Sequence, residues 1–310
     1  MAERNDERLD RAITDVIEGR VPSFTPELAS LLVLAGELRD LPDPRFAERL
    51  RREFLSVEEN EMKTAIATSV RPYFIVAGAD QLIAFLQQTF DAEVLARYAS
   101  PEGGVMHAEL RIDDSIVEMS DASGAWKPIT APLHVYVSNV EETYRRAVAA
   151  GAETLFPPTD QPYGDREAGI TDPLGTQWFI SQYLGSDSSR RPGFAAVNSG
   201  FRAVNAEKML AFLQQAFGAV EIERSMSAGV IQHAEIQVGE TLVELSEAHG
   251  QWGPTRGAFH LFVENCDAVY ESAVRAGGTS LYPPEDKPYG ERSGAVEDPF
   301  GNQWFIGTPL

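Results

Sequence analysis

Histidines give the first indication of chemistry in this 310-residue chain, because four of the five form two pairs with the same spacing. His107 recurs as His233 and His134 recurs as His260, each after 126 residues. An imidazole titrates near neutral pH, so it can move protons or bind a transition metal. Histidines kept in register over such a distance predict a fold and a site that were duplicated together.

Carboxylates accompany both histidine pairs. Glu109 and Glu235 follow the first pair by two residues, and Glu118 and Glu244 lie nine residues further along the chain. A neighbouring carboxylate raises the pKa of an imidazole and allows acid–base chemistry. The same side chains could instead bond across neighbouring strands and stiffen the sheet. Both interpretations remain open, since duplication preserves either role.

The segments around these residues are repeated as well. AFLQQTF (84–90) returns as AFLQQAF (211–217), and DQPYGDREAGITDPLGTQWFI (160–180) returns as DKPYGERSGAVEDPFGNQWFI (286–306). Alternating and helical apolar patterns predict that each repeat contains a strand, a helix and three strands, twice over. The repeat is long enough for each copy to have its own core. The predicted organisation is an N-terminal helical segment (1–70), a first domain (71–187) and a second domain (196–310).

Composition limits the possible partners and the compartment. The formal net charge of −21 argues against nucleic acids and anionic membrane surfaces, and it favours cationic ligands. No apolar run approaches the roughly 18–20 residues of a membrane span, and the charged N-terminus lacks a secretion signal. Cys266 is the only cysteine, which excludes an internal disulfide. We therefore expect a cytoplasmic protein with a small-molecule ligand, and a homodimer is possible.

The motifs HAE, YGDR and DPxGNxW, in this order, resemble the vicinal oxygen chelate superfamily, and within it the PhnB-like branch. This superfamily contains glyoxalase I, bleomycin-resistance proteins and extradiol dioxygenases. The resemblance covers about residues 71–310 and implies an α+β fold of two tandem domains. Each domain would contain two βαβββ modules whose curled mixed sheet surrounds a cavity. Strand alternation then places Glu118 with His134 in one cavity, and Glu244 with His260 in the other.

The resemblance also implies where a metal would bind, namely at the first and last strands of each module. Glu118 and Glu244 occupy such positions, whereas His134 and His260 are displaced by two residues. Phenylalanines stand where the last strands should supply a carboxylate, at Phe179 and Phe305. We therefore predict no metal and no other cofactor, with a divalent metal completed by His107 as the alternative.

Aromatic and cationic side chains suggest a binding site for a flat or charged compound. Trp126 and Trp252 follow the strands that carry the glutamates, where they could cover a pocket or anchor a loop. Tyr163 with Arg166, and Tyr289 with Arg292, could meet an anionic group, although pairing of the arginines with Asp172 or Asp298 is the favoured explanation. The predicted ligand-binding residues are His107, Glu109, Trp126, Tyr136, Tyr163, Arg166, Phe179, His233, Glu235, Trp252, Phe262, Tyr289, Arg292 and Phe305.

Three functions are compatible with these observations. The favoured one is metal-free binding or sequestration of a small aromatic or cationic molecule, as in bleomycin-resistance proteins. The second is an enzyme of the glyoxalase, isomerase or dioxygenase type, with Glu118, His134, Glu244 and His260 as its catalytic candidates. The third is a regulatory or scaffold protein that contacts a partner through its N-terminal helices. One fold hosts many chemistries, so the resemblance does not choose among them.

Overall fold

The structure is a computed structural model that describes residues 68–101, 103–185 and 189–310. Each repeat contains the predicted order of strand, helix and three strands, twice over. The first repeat contains β1 (Ser69–Val76), α1 (Ala79–Phe90), β2 (Glu93–Ala99), β3 (Val105–Ile112), β4 (Ser115–Asp121), β5 (Leu133–Tyr136), α2 (Val140–Ala149), β6 (Glu153–Asp160), β7 (Asp165–Thr171) and β8 (Gln177–Tyr183). The second contains β9 (Val197–Ala203), α3 (Ala206–Phe217), β10 (Val220–Ser227), β11 (Val230–Val238), β12 (Thr241–Glu247), β13 (Ala258–Phe262), α4 (Cys266–Arg275), β14 (Thr279–Lys287), β15 (Glu291–Glu297) and β16 (Gln303–Pro309).

The strands form two open, mixed sheets of eight strands each. Sheet I has the order β14-β15-β16-β13-β1-β4-β3-β2, and sheet II has the order β10-β11-β12-β9-β5-β8-β7-β6. Parallel neighbours such as β1 and β4 alternate with antiparallel neighbours such as β1 and β13. The predicted α+β class with two tandem domains of βαβββ modules is therefore confirmed.

The partner of each module differs from the one expected. In sheet I the first module (β1–β4) pairs with the fourth (β13–β16), so β1 lies beside β13 with Arg71 opposite His260. In sheet II the second module (β5–β8) pairs with the third (β9–β12), and His134 lies opposite Asn198. Both sheets are thus shared between the two repeats, and each sheet face combines side chains from both.

Apolar packing, in contrast, stays largely within a repeat. In the first repeat the fully buried Trp178 stacks on Phe74 with ring centroids 5.7 Å apart, although the two residues belong to different sheets. In the second repeat Trp304 is equally buried and lies 5.9 Å from Phe201. Helices α1 and α2 cover the first of these cores, and α3 and α4 cover the second. Each repeat therefore joins the two sheets through its own core.

Local sequence accounts for how the helices begin. Asn139 and Asn265 precede α2 and α4, and each side-chain oxygen accepts a hydrogen bond from a backbone N–H in the first turn. These bonds satisfy amide groups that a helix leaves free at its N-terminus. The buried side of α1 carries the predicted apolar stripe, which includes Leu82, Phe85 and Leu86. No helix in the described part of the chain is long and apolar enough to span a membrane.

The predicted N-terminal helices, within residues 1–70, lie almost wholly outside the described residues, and β1 begins at Ser69. Their role in contacting a partner stays a prediction. The boundaries of the two tandem domains, 71–187 and 196–310, also stay predictions.

The shared sheets predict that one repeat alone will associate with itself. A chain of residues 68–190 retains a complete apolar core, but its β1 and β5 lose their partners β13 and β9. Unpaired strand edges seek another strand, so we expect a dimer in which two copies replace the missing modules. Light scattering coupled to size exclusion, over a hundredfold concentration range, would measure the mass. A folded species that stays monomeric throughout would contradict the prediction.

Candidate functional site

The strand register brings each histidine of the second pair onto a glutamate of the other repeat. In sheet I, His260 Nδ1 lies 2.8 Å from Glu118 Oε2. In sheet II, His134 Nδ1 lies 3.1 Å from Glu244 Oε2. The expectation that Glu118 joins His134 is therefore wrong, because β4 and β5 belong to different sheets. We call these the sheet I pair and the sheet II pair.

A further carboxylate faces the second nitrogen of each imidazole. His260 Nε2 lies 3.2 Å from Glu291 Oε2, and His134 Nε2 lies 3.7 Å from Glu167 Oε2. Both are ion-pair contacts without the alignment of a hydrogen bond. Glu291 and Glu167 were not predicted as site residues, although strand alternation could have identified them. Each acid is next to an arginine of the YGDR and YGER segments, so it faces the opposite side of its strand.

Arg71 supplies a second cation to the sheet I pair. Its Nη1 lies 2.9 Å from Glu118 Oε1 and 3.7 Å from Glu109 Oε2, and its guanidinium carbon stands 4.5 Å from the centre of the Phe262 ring. Glu118 is 1% exposed. Both of its carboxylate oxygens are contacted by cations inside the protein, Arg71 on one and His260 on the other. The guanidinium and the imidazole together neutralise a carboxylate that burial alone would disfavour.

Sheet II obtains its additional cation from the connection between the repeats. Arg191 Nε lies 3.1 Å from Asp165 Oδ1, and the guanidinium lies 5.5 Å and 5.6 Å from the ring centres of Tyr163 and Tyr183. Phe194, in the same connection, lies 6.3 Å from the His134 ring. The connecting segment thus closes one side of the sheet II site, a contribution that its polar sequence did not predict.

The environment of the pairs favours their charged forms. Burial lowers the pKa of His134, but the charge and hydrogen bond of Glu244 more than compensate and raise it to about 9. The pKa of His260 is likewise raised to about 9, because Glu118 and Glu291 outweigh the effect of burial. Burial raises the pKa values of Glu118 and Glu244, yet the adjacent cations bring both below their ordinary value. Both pairs are therefore imidazolium–carboxylate pairs at neutral pH.

Aromatic rings surround both imidazoles. The His134 ring lies 4.6 Å from that of Tyr136, whose hydroxyl donates to Asp165 Oδ2 at 3.0 Å. The His260 ring lies 4.0 Å from that of Phe262. Tyr136 and Phe262 thus reach the pairs, as expected of predicted site residues.

Phe179 and Phe305 lie on the same sheet faces as the pairs. Phe305 is 5.3 Å from Trp126 and also 5.3 Å from Tyr73, and Phe179 is 5.8 Å from Trp252. All four of the predicted aromatic residues are half-buried. The two tryptophan loops are held by paired backbone hydrogen bonds, between Ser123 and Trp126 and between His249 and Trp252. Each indole therefore faces a phenyl ring supplied by the other repeat.

The first histidine pair lies at the margin of the same faces. His107 Nδ1 is 3.4 Å from the Tyr73 hydroxyl, and its Nε2 is 3.5 Å from Glu109. His233 Nε2 is 3.8 Å from Glu244 Oε1 and 4.0 Å from Glu235. Both histidines are thus close to the pairs but more exposed than His134 and His260, whereas Glu235 is as buried as Glu244.

The two arginines proposed to bind ligands lie away from the pairs. Arg166 pairs with Glu141 of α2 and with Asp160, and Arg292 pairs with Asp267 of α4 and with Asp286. The predicted pairing with Asp172 or Asp298 is wrong, and the role of the two arginines in ligand binding stays a prediction. Those aspartates are buried and accept the indole N–H of Trp178 or Trp304, together with backbone N–H groups of the hairpin.

The neighbouring tyrosines differ from each other. The Tyr163 hydroxyl donates to Glu167 Oε1 at 3.1 Å and so extends the polar network of the sheet II pair. Tyr289 remains two-thirds exposed.

The residues present do not fit the metal that the resemblance implies. In sheet I, Arg71 and His260 already engage the Glu118 oxygens, and a phenyl ring occupies the position of the last-strand donor. Within residues 68–101, 103–185 and 189–310, no group of three or more His, Cys, Asp or Glu side chains is arranged to hold a metal ion. A divalent cation would have to compete with two protein cations for the same carboxylate.

The raised pKa of His134 and His260 predicts a loss of stability at alkaline pH. A group whose folded pKa exceeds its unfolded pKa stabilises fully below the unfolded value and loses this effect as pH rises through the folded value. We expect the free energy of unfolding to fall between about pH 6.5 and 9 or slightly above, by on the order of 3 kcal/mol per imidazole. Urea denaturation at half-unit pH intervals would measure it. H260Q should flatten this fall, whereas H107Q should not, and a fall unaltered by H260Q would disprove the assignment.

Removing the Glu118 carboxylate should be costly. E118Q leaves Arg71 and His260 without their shared counter-ion, and loss of one member of a buried pair typically costs about 3–5 kcal/mol. The matched variant E109Q removes a one-third-exposed carboxylate 3.7 Å from Arg71, so its effect should stay within about 1 kcal/mol. Equal losses for the two variants, measured by chemical denaturation, would show that the sheet I pair does not act as described.

Comparison with known proteins supports the fold and the duplication. The sequence model of the Glyoxalase/Bleomycin resistance protein/Dioxygenase superfamily matches residues 69–180 and again 197–306. An uncharacterized protein of Mycobacterium bovis is 31% identical over 134 residues, which are 39% of this chain and 87% of that protein. A Mycobacterium tuberculosis protein that bears the name putative glyoxylase is 23% identical over 220 residues, which are 67% of this chain and 82% of that protein.

A solved structure shares the architecture of both repeats. Glyoxalase I from Zea mays superimposes with a TM-score of 0.59 at 16% identity, covering 78% of this chain and 93% of that chain. At this identity the similarity concerns the fold alone. The two matches to the family, each spanning nearly a whole repeat, show that this chain belongs to the Glyoxalase/Bleomycin resistance protein/Dioxygenase superfamily.

Proposed function

We propose that this protein binds a small aromatic or cationic molecule against the inner faces of its two sheets, without the aid of a metal. The observation that carries the proposal is the filling of the sheet I position by protein charges. Arg71 and protonated His260 both contact Glu118, and these two cations take the electrostatic role that a divalent ion would have. Phe305 extends an apolar surface beside them.

Charge and shape both favour such a ligand. Glu109, Glu118 and Glu291 face two cations in sheet I, so the site keeps a net negative charge. Trp126 lies edge-on to Tyr282 at 6.3 Å and meets Phe305 at 5.3 Å. A flat cation placed there would gain stacking and cation–π attraction from the rings together with attraction from the carboxylates.

The acid–base alternative receives less support from the same geometry. A general base works best with a pKa near the operating pH, whereas the pKa of His260 is about 9 because two carboxylates hold its proton. Glu118 accepts hydrogen bonds from Arg71 and His260, and both of its oxygens are therefore engaged. An ion pair in which the imidazole already holds its proton and both partners are hydrogen-bonded suits a fixed part of a binding site better than it suits proton transfer.

The proposal is tested by tryptophan fluorescence with benzamidine, an aromatic cation, and benzamide, its neutral counterpart. Trp178 and Trp304 are fully buried, so a change on titration should come from Trp126 or Trp252. We expect saturable quenching by benzamidine, weaker binding of benzamide, and no effect of EDTA. W126F should remove the sheet I component, and E109Q should weaken benzamidine binding several-fold.

Two results would refute the proposal. One is the absence of any saturable change with either compound. The other is purified protein that carries about one transition metal per sheet and loses binding when a chelator removes it.

A further inference from the structure

Arg202 lies on the same face of sheet II as the Glu244–His134 pair, but further along the sheet. In the register of β9 and β12, Gly200 is opposite Glu244. Arg202 is two residues beyond Gly200, which corresponds to a displacement of roughly 7 Å along the strand. The charge of this side chain is therefore offset from the carboxylates of the pair.

The Arg202 side chain is half-buried, and its guanidinium has few partners. Its Nη2 donates to Gln177 Oε1, and its Nε is buried without a hydrogen-bond partner. Its central carbon lies 5.3 Å from the Trp252 ring centre and 5.9 Å from that of Phe179. Burial lowers the pKa of Arg202, and no neighbouring carboxylate offsets this effect.

Such isolation is unusual in this acidic protein. Among the arginines of the described chain, only Arg202 and the exposed Arg256 form no ion pair with a described carboxylate. A buried charge without a counter-ion is unfavourable. The missing counter-ion therefore needs an explanation, and a bound anion would supply it.

A cleft of about 280 Å³ opens beside this guanidinium. Its polar lining consists of Thr130, Gln177, Gln251 and Thr255, and none of its described lining residues is acidic. The Arg202 backbone N–H donates to the Thr255 side-chain Oγ1, and the Thr255 backbone N–H donates to the Arg202 carbonyl, so these bonds hold the loop against the strand beside the cleft. Its volume is at the lower end for ligand pockets, which suits a molecule with a single ring.

Sheet I shows what the same position looks like without the charge. Ile75 is the equivalent residue, two beyond Tyr73, which is opposite Glu118. Gln303, at the start of β16, is the equivalent of Gln177, and its buried Oε1 has no hydrogen-bond partner. An apolar side chain thus satisfies the fold at this position, and the arginine of sheet II is an addition that the fold does not require.

We infer that Arg202 binds the carboxylate of a small, single-ring molecule in this cleft, whose lining also includes Pro132 and Pro254. The free N–H groups of a guanidinium match two carboxylate oxygens in one plane. This site goes beyond the proposed function, which concerns the acidic pairs, and its ligand has the opposite charge.

The test compares benzoate with benzamidine, which have similar shapes and opposite charges, by isothermal titration of the full chain. We expect wild type to bind benzoate and R202I to weaken this binding at least tenfold. R202K should retain part of the affinity, since it keeps the charge but not the planar fork. Benzamidine binding, if it occurs at the acidic pairs, should be equal in wild type and R202I.

Two controls make the outcome decisive. R202I copies the residue that the fold already accepts at Ile75, and its circular dichroism should match wild type. R256I removes the other arginine without an ion pair and should leave benzoate binding unchanged. The inference is overturned if wild type does not bind benzoate, if folded R202I binds it as tightly as wild type, or if R256I causes the same loss.

Discussion

The contact on which the rest of the structure depends is the backbone pairing of β1 with β13 and of β5 with β9. These two antiparallel seams join modules from different repeats into continuous sheets. They also place a histidine of one repeat beside a glutamate of the other, which forms the sheet I and sheet II pairs. The backbone hydrogen bonds across the seams therefore join the two repeats, whereas the apolar packing joins the two sheets within each repeat. Together they make one compact unit of residues 66–310.

The buried pairs illustrate how charge can be accommodated where the family's resemblance implies a metal. A carboxylate at 1% exposure requires strong compensation. In sheet I this comes from a guanidinium on one oxygen and an imidazolium on the other. In sheet II the linker between the repeats contributes Arg191, and a tyrosine replaces the phenylalanine beside the imidazole. The two sites thus share a plan but differ in shape and charge distribution.

Much of the fold could be predicted from the sequence, because apolar periodicity and the repeated motifs depend on local spacing. Strand alternation places Trp178 and Phe179 on opposite faces of β8, but it does not decide which of them faces the core. The pairing of Glu118 with His260 could not be predicted, since both arrangements of the modules satisfy the same local patterns. The alternatives differ only in which strand edges meet. Arg191 was missed for another reason, because a polar linker carries no periodicity that would place it in a site.

The shared sheets have a consequence for how this gene can change over time. The sites around the sheet I pair and the sheet II pair each contain residues of both the N-terminal and the C-terminal copy, so neither copy forms a site by itself. A change at His260 in the second copy alters the surroundings of Glu118 and Arg71 in the first, because these residues meet across the β1–β13 seam. Selection on either site therefore acts on both halves of the duplication. The halves are free to diverge in detail, but loss of either would remove the residues that it contributes to both sites.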